Sequence, residues 1–311
     1  MSIDEAMVKY KGRVFRQYMP KKPIKWGIKV WMIAEPKTGY VSNYAVYLAK
    51  CSSSENAGQA LGTRVVLDIS KPFHHTYRHL YFDNFFNSQE VVEELLKVET
   101  YACGALQANR YPPPFKTGRQ SIKLKCGETR QLQKGNQLVT VWFDKRQVAV
   151  LSSNLNPNQT ITVQRRMKEA PRIRNIDMPA PIRTYNQYMG GVDLNDQLRS
   201  YYPSGRSGKK WWRYLFWFLL DVSIINALVF ERLSPHQPSS RHRRSLLQFK
   251  LDLAKQLIGG FCRRKRYPGH KRKCTPMAMA LPNLPGHQEV KFAGSENCTV
   301  VRMIVESTTG S

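Results

Sequence analysis

The sequence predicts an α/β fold made of a layered core, a β-rich insertion and a basic C-terminal helical region. Three observations predict it. Strand-like runs and segments of helical period alternate through residues 1–110 in the order strands, helix, strand, helix, strand, as in a sheet layered with helices. Pro112, Pro113 and Pro114 then break the pattern, and short strand-like segments follow them. From residue 181 the helical period returns, and basic residues crowd toward the C-terminus. The 311 residues are 41% hydrophobic, enough for one large or two modest domains with a sizeable core, so disorder is excluded as the main state.

Each element follows from local pattern. A first strand is expected over residues 3–8. Residues 28–33 and 40–48 are dense in β-branched and aromatic side chains and are separated by Glu35, Pro36, Lys37, Thr38 and Gly39, which reads as a hairpin. Leu61, Val65 and Ile69 share one helical face, and Pro72 stops that helix. Residues 79–83 read as a buried strand. Ser88 opens an amphipathic helix whose apolar face is Val91, Val92, Leu95 and Leu96, and residues 101–106 form the next strand. In the insertion, strands are expected at 122–126, 138–143 and 148–153, with Asp144 and Lys145 turning the last two into a hairpin. Residues 154–181, interrupted by four prolines, are read as a connecting segment. Helical pattern resumes from Arg183 and again over 211–233, and 235–244 is a break. The chain thus divides into the first part of the core (1–110), the insertion and connector (111–180), the helical remainder of the core (181–234) and a basic, largely disordered tail (235–311).

Charge narrows the function classes. Forty-nine Lys and Arg against 22 Asp and Glu give a net charge of +27, which attracts polyanions: nucleic acid first, an anionic membrane surface second. Residues 201–274 hold 17 Lys and Arg against three acids, including the run Arg263, Arg264, Lys265 and Arg266. Such clusters serve as phosphate contacts or nuclear import signals, or stand as a solvated basic tail. No secretory signal is read, because Asp4 and Glu5 fall in the first residues and no apolar run follows a basic start. The most apolar stretch carries Arg213, Asp221, Asn226 and Glu231, so a buried helix is expected there and no membrane span. The six cysteines lack any CxxC pair and are read as reduced thiols of an intracellular protein, with no structural zinc. His74, His75 and His79 precede an apolar strand without cysteine partners and are read as surface or packing residues.

In a chain poor in acids, four aspartates stand out. Asp83 ends an apolar strand, which would bring its carboxylate out at the C-terminal edge of a sheet, where α/β proteins hold ligands. Its other reading is a turn former. Asp4 lies in the first strand and would neighbour Asp83 across the sheet. Asp193 and Asp196 follow Gly190 and Gly191 at a spacing of three, on one helical face, and Asp193 alone would serve as an N-terminal cap.

Taken together, Ser2-Ile3-Asp4-Glu5, Tyr10-Lys11-Gly12-Arg13, Met19-Pro20-Lys21-Lys22-Pro23-Ile24-Lys25-Trp26-Gly27-Ile28-Lys29, Phe82-Asp83-Asn84-Phe85-Phe86-Asn87-Ser88, Tyr185-Asn186 and Met189-Gly190-Gly191-Val192-Asp193 resemble the transposase core of the piggyBac family. The resemblance runs from Met1 to about Leu233. It implies a ribonuclease H-like core split by a β-rich insertion, carrying a DDE/D centre with Asp4, Asp83, Asp193 and Asp196 as catalytic residues. Asp4, Asp83 and Asp193 would bind metal, magnesium or alternatively manganese. Family members cut double-stranded DNA at transposon ends and join the ends to targets, so DNA is the expected partner, a homodimer a candidate assembly and the nucleus the expected location. Trp211 falls where members carry a DNA-stacking Trp, its other reading being an anchor for the following helix. Arg206, Lys209 and Lys210, with the 263–266 cluster, are the expected DNA contacts. Members carry a long segment ahead of the first catalytic strand and a closely spaced Cys/His module at the C-terminus. In this sequence Asp4 lies three residues from the start, and Cys262, Cys274 and Cys298 are too far apart for such a module. The alternative reading is therefore a catalytically inactive, domesticated or degenerate DNA- or chromatin-binding protein.

Overall fold

The computed structural model describes residues 1–13, 15–48, 59–112, 115, 124–153, 155–166, 172–234 and 244–259. Two compact units, 1–237 and 238–311, divide the chain and are treated separately.

The first unit is organised around β1 (Ser2–Lys9). It pairs antiparallel with β3 (Trp26–Ala34) over eight residue pairs and parallel with β5 (His79–Phe82), so it is interior to the sheet and buried on both faces. β2 (Arg16–Tyr18) and β4 (Val41–Val46) take the other edge of β3, and β6 (Tyr101–Ala105) continues parallel to β5.

The segment after the prolines extends this same sheet. β9 (Gln147–Ser153) pairs with β6, then β8 (Gln137–Phe143) with β9, and β7 (Thr129–Lys134) with β8, all antiparallel. The result is a mixed nine-stranded sheet. The expected 138–143 and 148–153 hairpin is present. The strand expected at 122–126 is not: Leu124 to Cys126 run as loop and turn, with 122 and 123 outside the described residues, and β7 starts at Thr129 instead. The segment read as a connector also needs correction. It holds a two-stranded sheet of β10 (Thr160–Arg166) and β11 (Ile173–Pro179), paired along seven residues. β10 alternates exposed residues with the half-buried Ile161 and Val163, a short period-2 face that the surrounding polar residues and prolines masked.

Two helix layers cover the sheet. α1 (Leu61–Ser70) and α2 (Gln89–Lys97) pack Val66, Ile69, Val91, Val92 and Leu95 against Ile3, Ile33, Leu80 and Phe82. Ser88 caps α2, its hydroxyl accepting from the Val91 N–H at 3.2 Å, and Pro72 follows α1 in a short 3₁₀ turn. On the opposite face α4 (Gly191–Tyr201) and α5 (Trp211–Leu233) pack Val192, Phe218 and Val222 against Ala6, Val8, Val30 and Met32. α3 (Ala180–Tyr188) covers Tyr81 and Cys103 on that side.

By length and composition α5 could cross a membrane. It packs its Phe218, Val222, Ile225 and Leu228 into the fold instead, while Asp221 accepts from the Ser204 hydroxyl at 2.7 Å and Asn226 brackets the backbone of Val41 at 2.9 and 2.8 Å. In the second unit α6 (Leu246–Ile258) starts at a Ser245 cap and ends at Gly259, whose φ of +53° suits glycine.

The histidines have structural partners: His74 meets the Ser70 hydroxyl at 3.0 Å, His75 the Glu99 carboxylate at 3.2 Å, and His79 the Tyr101 ring. Cys103 is a buried free thiol and Cys126 an exposed one. The other four cysteines and the basic run 263–266 lie outside the described residues.

Candidate functional site

The parallel ladder between β1 and β5 ends at Ile3 opposite Phe82, so the next residue along each segment, Asp4 within β1 and Asp83 just past β5, lies at the same end of the ladder. Alternation puts Asp4 on the face of Ala6 and Val8, under α4 and α5. Asp83 is the first residue past β5 and opens a turn, its carbonyl accepting from the N–H groups of Phe86 and Asn87 at 3.1 and 3.3 Å. Tyr185 of α3 feels the charge of its carboxylate.

α4 supplies the third acid, and a glycine allows it to come close. A Cβ on Gly191 would run into the Ser2 hydroxyl and stand 3.0 and 3.1 Å from the carbonyls of Glu35 and Ala34. Only a residue without a side chain lets the start of α4 sit on the start of β1 and the end of β3. Two residues on, Asp193 lies in the first turn of the helix, where the unpaired N–H groups favour negative charge.

Lys22, in the loop between β2 and β3, joins the acids. Its Nζ is 2.9 Å from the Asp4 carboxylate and 3.4 Å from that of Asp193. Asp4 is buried and Asp193 largely exposed, so one ammonium bridges an interior and a surface acid.

Burial raises the Asp4 pKa despite Lys22 and the Glu5 N–H, with the Asp193 charge adding to the rise. Glu5 is raised by burial and then by Asp4, with Asp83 contributing. Burial would lower Lys22, but the Asp4 carboxylate overrides it and holds the ammonium above its ordinary value. Tyr185 is pushed up by burial and by the Asp83 charge. Four carboxylates, those of Asp4, Glu5, Asp83 and Asp193, thus share one field, and the Lys22 ammonium offsets it.

Asp196 is engaged differently. It pairs with Arg199, which also donates to the buried Asn195 at 3.1 Å and lies 4.2 Å from the centre of the Phe218 ring. Asn195 in turn donates to the Gly39 carbonyl at 3.0 Å. This network ties α4 to the β3–β4 turn, while burial raises the Asp196 pKa and the charges of Lys22 and Asp193 also reach it.

Asp4, Asp83 and Asp193 offer the hard oxygen donors that a divalent cation takes, and a cation already stands between two of them in the form of Lys22. In kind and charge they fit such an ion. Among the described residues no three acids, histidines or cysteines are drawn together as a closed metal cluster, so Lys22 would have to give way.

Of the expected DNA contacts, Arg206, Lys209 and Lys210 are exposed just before α5. Trp211 is partly buried and edge-on to Phe15 at 5.2 Å, and its neighbour Trp212 is the more exposed ring. The sequence reading gives no role to Lys22, Glu5, Tyr185 or Arg199. The signal for Lys22 was its place in a conspicuously basic loop, which does not show where the side chain points.

A family model described as Transposase IS4 matches residues 1–228. Among curated proteins, the human PiggyBac transposable element-derived protein 3 is 28% identical over 244 residues, covering 76% of this chain and 41% of the relative. The human PiggyBac transposable element-derived protein 2 is 23% identical over 240 residues, covering 75% and 40%. The chain therefore spans about two fifths of these relatives' length. Among solved structures, a piggyBac transposase in a synaptic complex with hairpin DNA shares the fold with a TM-score of 0.68 at 24% identity, covering 89% of this chain and 60% of that one. The resemblance read from the sequence motifs is borne out.

Proposed function

The chain belongs to the Transposase IS4 family, and from that premise we propose that it carries a ribonuclease H-like core performing metal-dependent DNA strand cleavage and transfer, with Asp4, Asp83 and Asp193 as the metal-holding residues. The observation that carries this reading is the Lys22 ammonium held at 2.9 and 3.4 Å by Asp4 and Asp193, acids 189 positions apart, beside the strand end that presents Asp83. Magnesium or manganese bound there supplies activation of a water or 3′-hydroxyl and stabilisation of the leaving oxygen in an in-line displacement at phosphorus.

The chain's own residues do the rest. β1 fixes Asp4 in a buried frame, and the close seat of Gly191 sets the height of Asp193. Asp196 acts through Arg199 as a positioning residue. The net charge of +27 supports double-stranded DNA as the partner and, with the basic runs, the nucleus as its location.

Lys22 also favours a second reading. An internal ammonium that satisfies the carboxylates suits a protein that keeps the fold and binds DNA without cutting it. Nicking of supercoiled plasmid by the purified chain separates the two. The catalytic reading expects nicking that requires magnesium or manganese and falls about 10²- to 10⁴-fold in Asp83→Asn, the several kcal/mol a metal contributes. Nicking unchanged in that variant contradicts the assignment, and DNA binding without nicking selects the second reading.

A further inference from the structure

The loop that carries Lys22 has a second feature at its base. Tyr18 closes β2 and Trp26 opens β3 as a directly opposed cross-strand pair, their ring centroids 4.5 Å apart and tilted by 35°. The Arg16 guanidinium lies 4.5 Å from the centre of the Trp26 ring. The Met19 N–H donates to the Lys25 carbonyl at 2.8 Å and closes the loop above them.

A cross-strand aromatic pair can exist only to hold a hairpin. Three facts make that role insufficient. Tyr18 and Trp26 remain 51% and 48% exposed, so half of this apolar area stays in water where burial would have stabilised the hairpin more. The pair joins β3 to β2, the strand at the end of the sheet order. And residues 6–34 contain eight Lys and Arg and no acid, so the rings stand in a continuous positive field.

We propose that Tyr18, Trp26 and Arg16 form a stacking platform for unpaired DNA bases, seated at the base of the loop whose Lys22 reaches the carboxylates. Aromatic rings with an adjacent guanidinium take any base by its face, while the flanking cations track the backbone phosphates. Unpaired rather than duplex DNA is the occupant because a base within a paired stack has no free face to offer. The platform would hold an opened strand beside the residues proposed to cut it. This inference rests on the proposed DNA function, and its test separates the two.

Affinity of the full chain is measured by fluorescence anisotropy for a duplex with a short single-stranded gap and for the fully paired duplex of the same sequence. Phosphate contacts act on both probes, so the platform registers only in their difference. The expected result is a preference for the gapped probe of about five- to 150-fold, the worth of one stacked base. Trp26→Ala and Tyr18→Ala should each reduce that preference without changing affinity for the paired duplex, and Trp26→Phe should retain most of it. A preference that survives both alanine variants, or a loss equal on both probes, overturns the platform while leaving DNA binding intact. Wild-type chain that binds neither probe overturns the DNA reading and the platform together.

Discussion

The two faces of the central sheet are built on different terms. Under α1 and α2 the interior is hydrocarbon: Ile3, Ile33, Leu80 and Phe82 meet Val66, Val91, Val92 and Leu95, all fully or almost fully buried. Under α4 and α5 the same strands also bury Asp4, and the covering helices bring the buried Asn195 and Asp221. The first face is held by area removed from water, which tolerates no polar group without a partner. The second holds its charges through named partners: Lys22 for Asp4, Arg199 one turn along the helix for Asp196, and Ser204 for Asp221. Apolar burial holds both faces, and the buried charges lie on the second.

Substitutions can break that contrast, and the largest effect belongs to the apolar face. Leu80→Ala removes a fully buried side chain and is expected to cost about 2–5 kcal/mol in urea unfolding, with no dependence on pH. On the polar face, Lys22→Met leaves Asp4 buried without its counter-charge and is expected to cost about 3 kcal/mol near pH 7. Here the sign with pH matters. Because Asp4 is raised in the fold, the folded state holds its proton more tightly than the unfolded chain, so this group favours folding most below the unfolded carboxylate pKa, about 4, and the advantage is lost as pH rises through the folded value. Lys22→Met raises the folded value further, so its deficit should be large near pH 7 and small near pH 3. Equal urea midpoint shifts at both pH values would contradict the pairing.

Smaller effects sharpen the same comparison. Gly191→Ala should cost about 1–3 kcal/mol, because the new Cβ meets two backbone carbonyls that cannot move away easily. It should also weaken divalent-ion binding, whereas an equally destabilising change on the α1 and α2 face should not. Ser88→Ala, which removes only the cap of α2, is expected to cost about 1 kcal/mol, read as a shift in thermal midpoint with ion binding unchanged.

What could be read from the sequence follows the same division. Period and turn chemistry located β1, the β3–β4 hairpin, α1, β5, α2 and β6, since each presents apolar residues to the α1 and α2 face at regular spacing. β10 and β11 were not legible because their apolar face is short, Ile161 and Val163 on one strand and Ile176 and Met178 on the other, within a polar stretch broken by prolines. The acids were found by motif. Period alone gave Asp83 as a turn former and Asp193 as a helix cap. Lys22 escaped altogether, for a lysine in a basic loop looks like solvated charge until the fold brings an acid from β1 and another from α4 to its tip. Asp196 was legible as a neighbour of Asp193 on the helix but not as the partner of Arg199.

Calorimetric titration of manganese into the full chain and its variants tests the central claim most directly. If Asp4, Asp83 and Asp193 hold one divalent site, Asp4→Asn, Asp83→Asn and Asp193→Asn should each weaken binding by more than the roughly 10- to 100-fold that loss of a supporting residue costs, with Asp196→Asn within that range. Manganese binding that survives unchanged in any of the first three would contradict it.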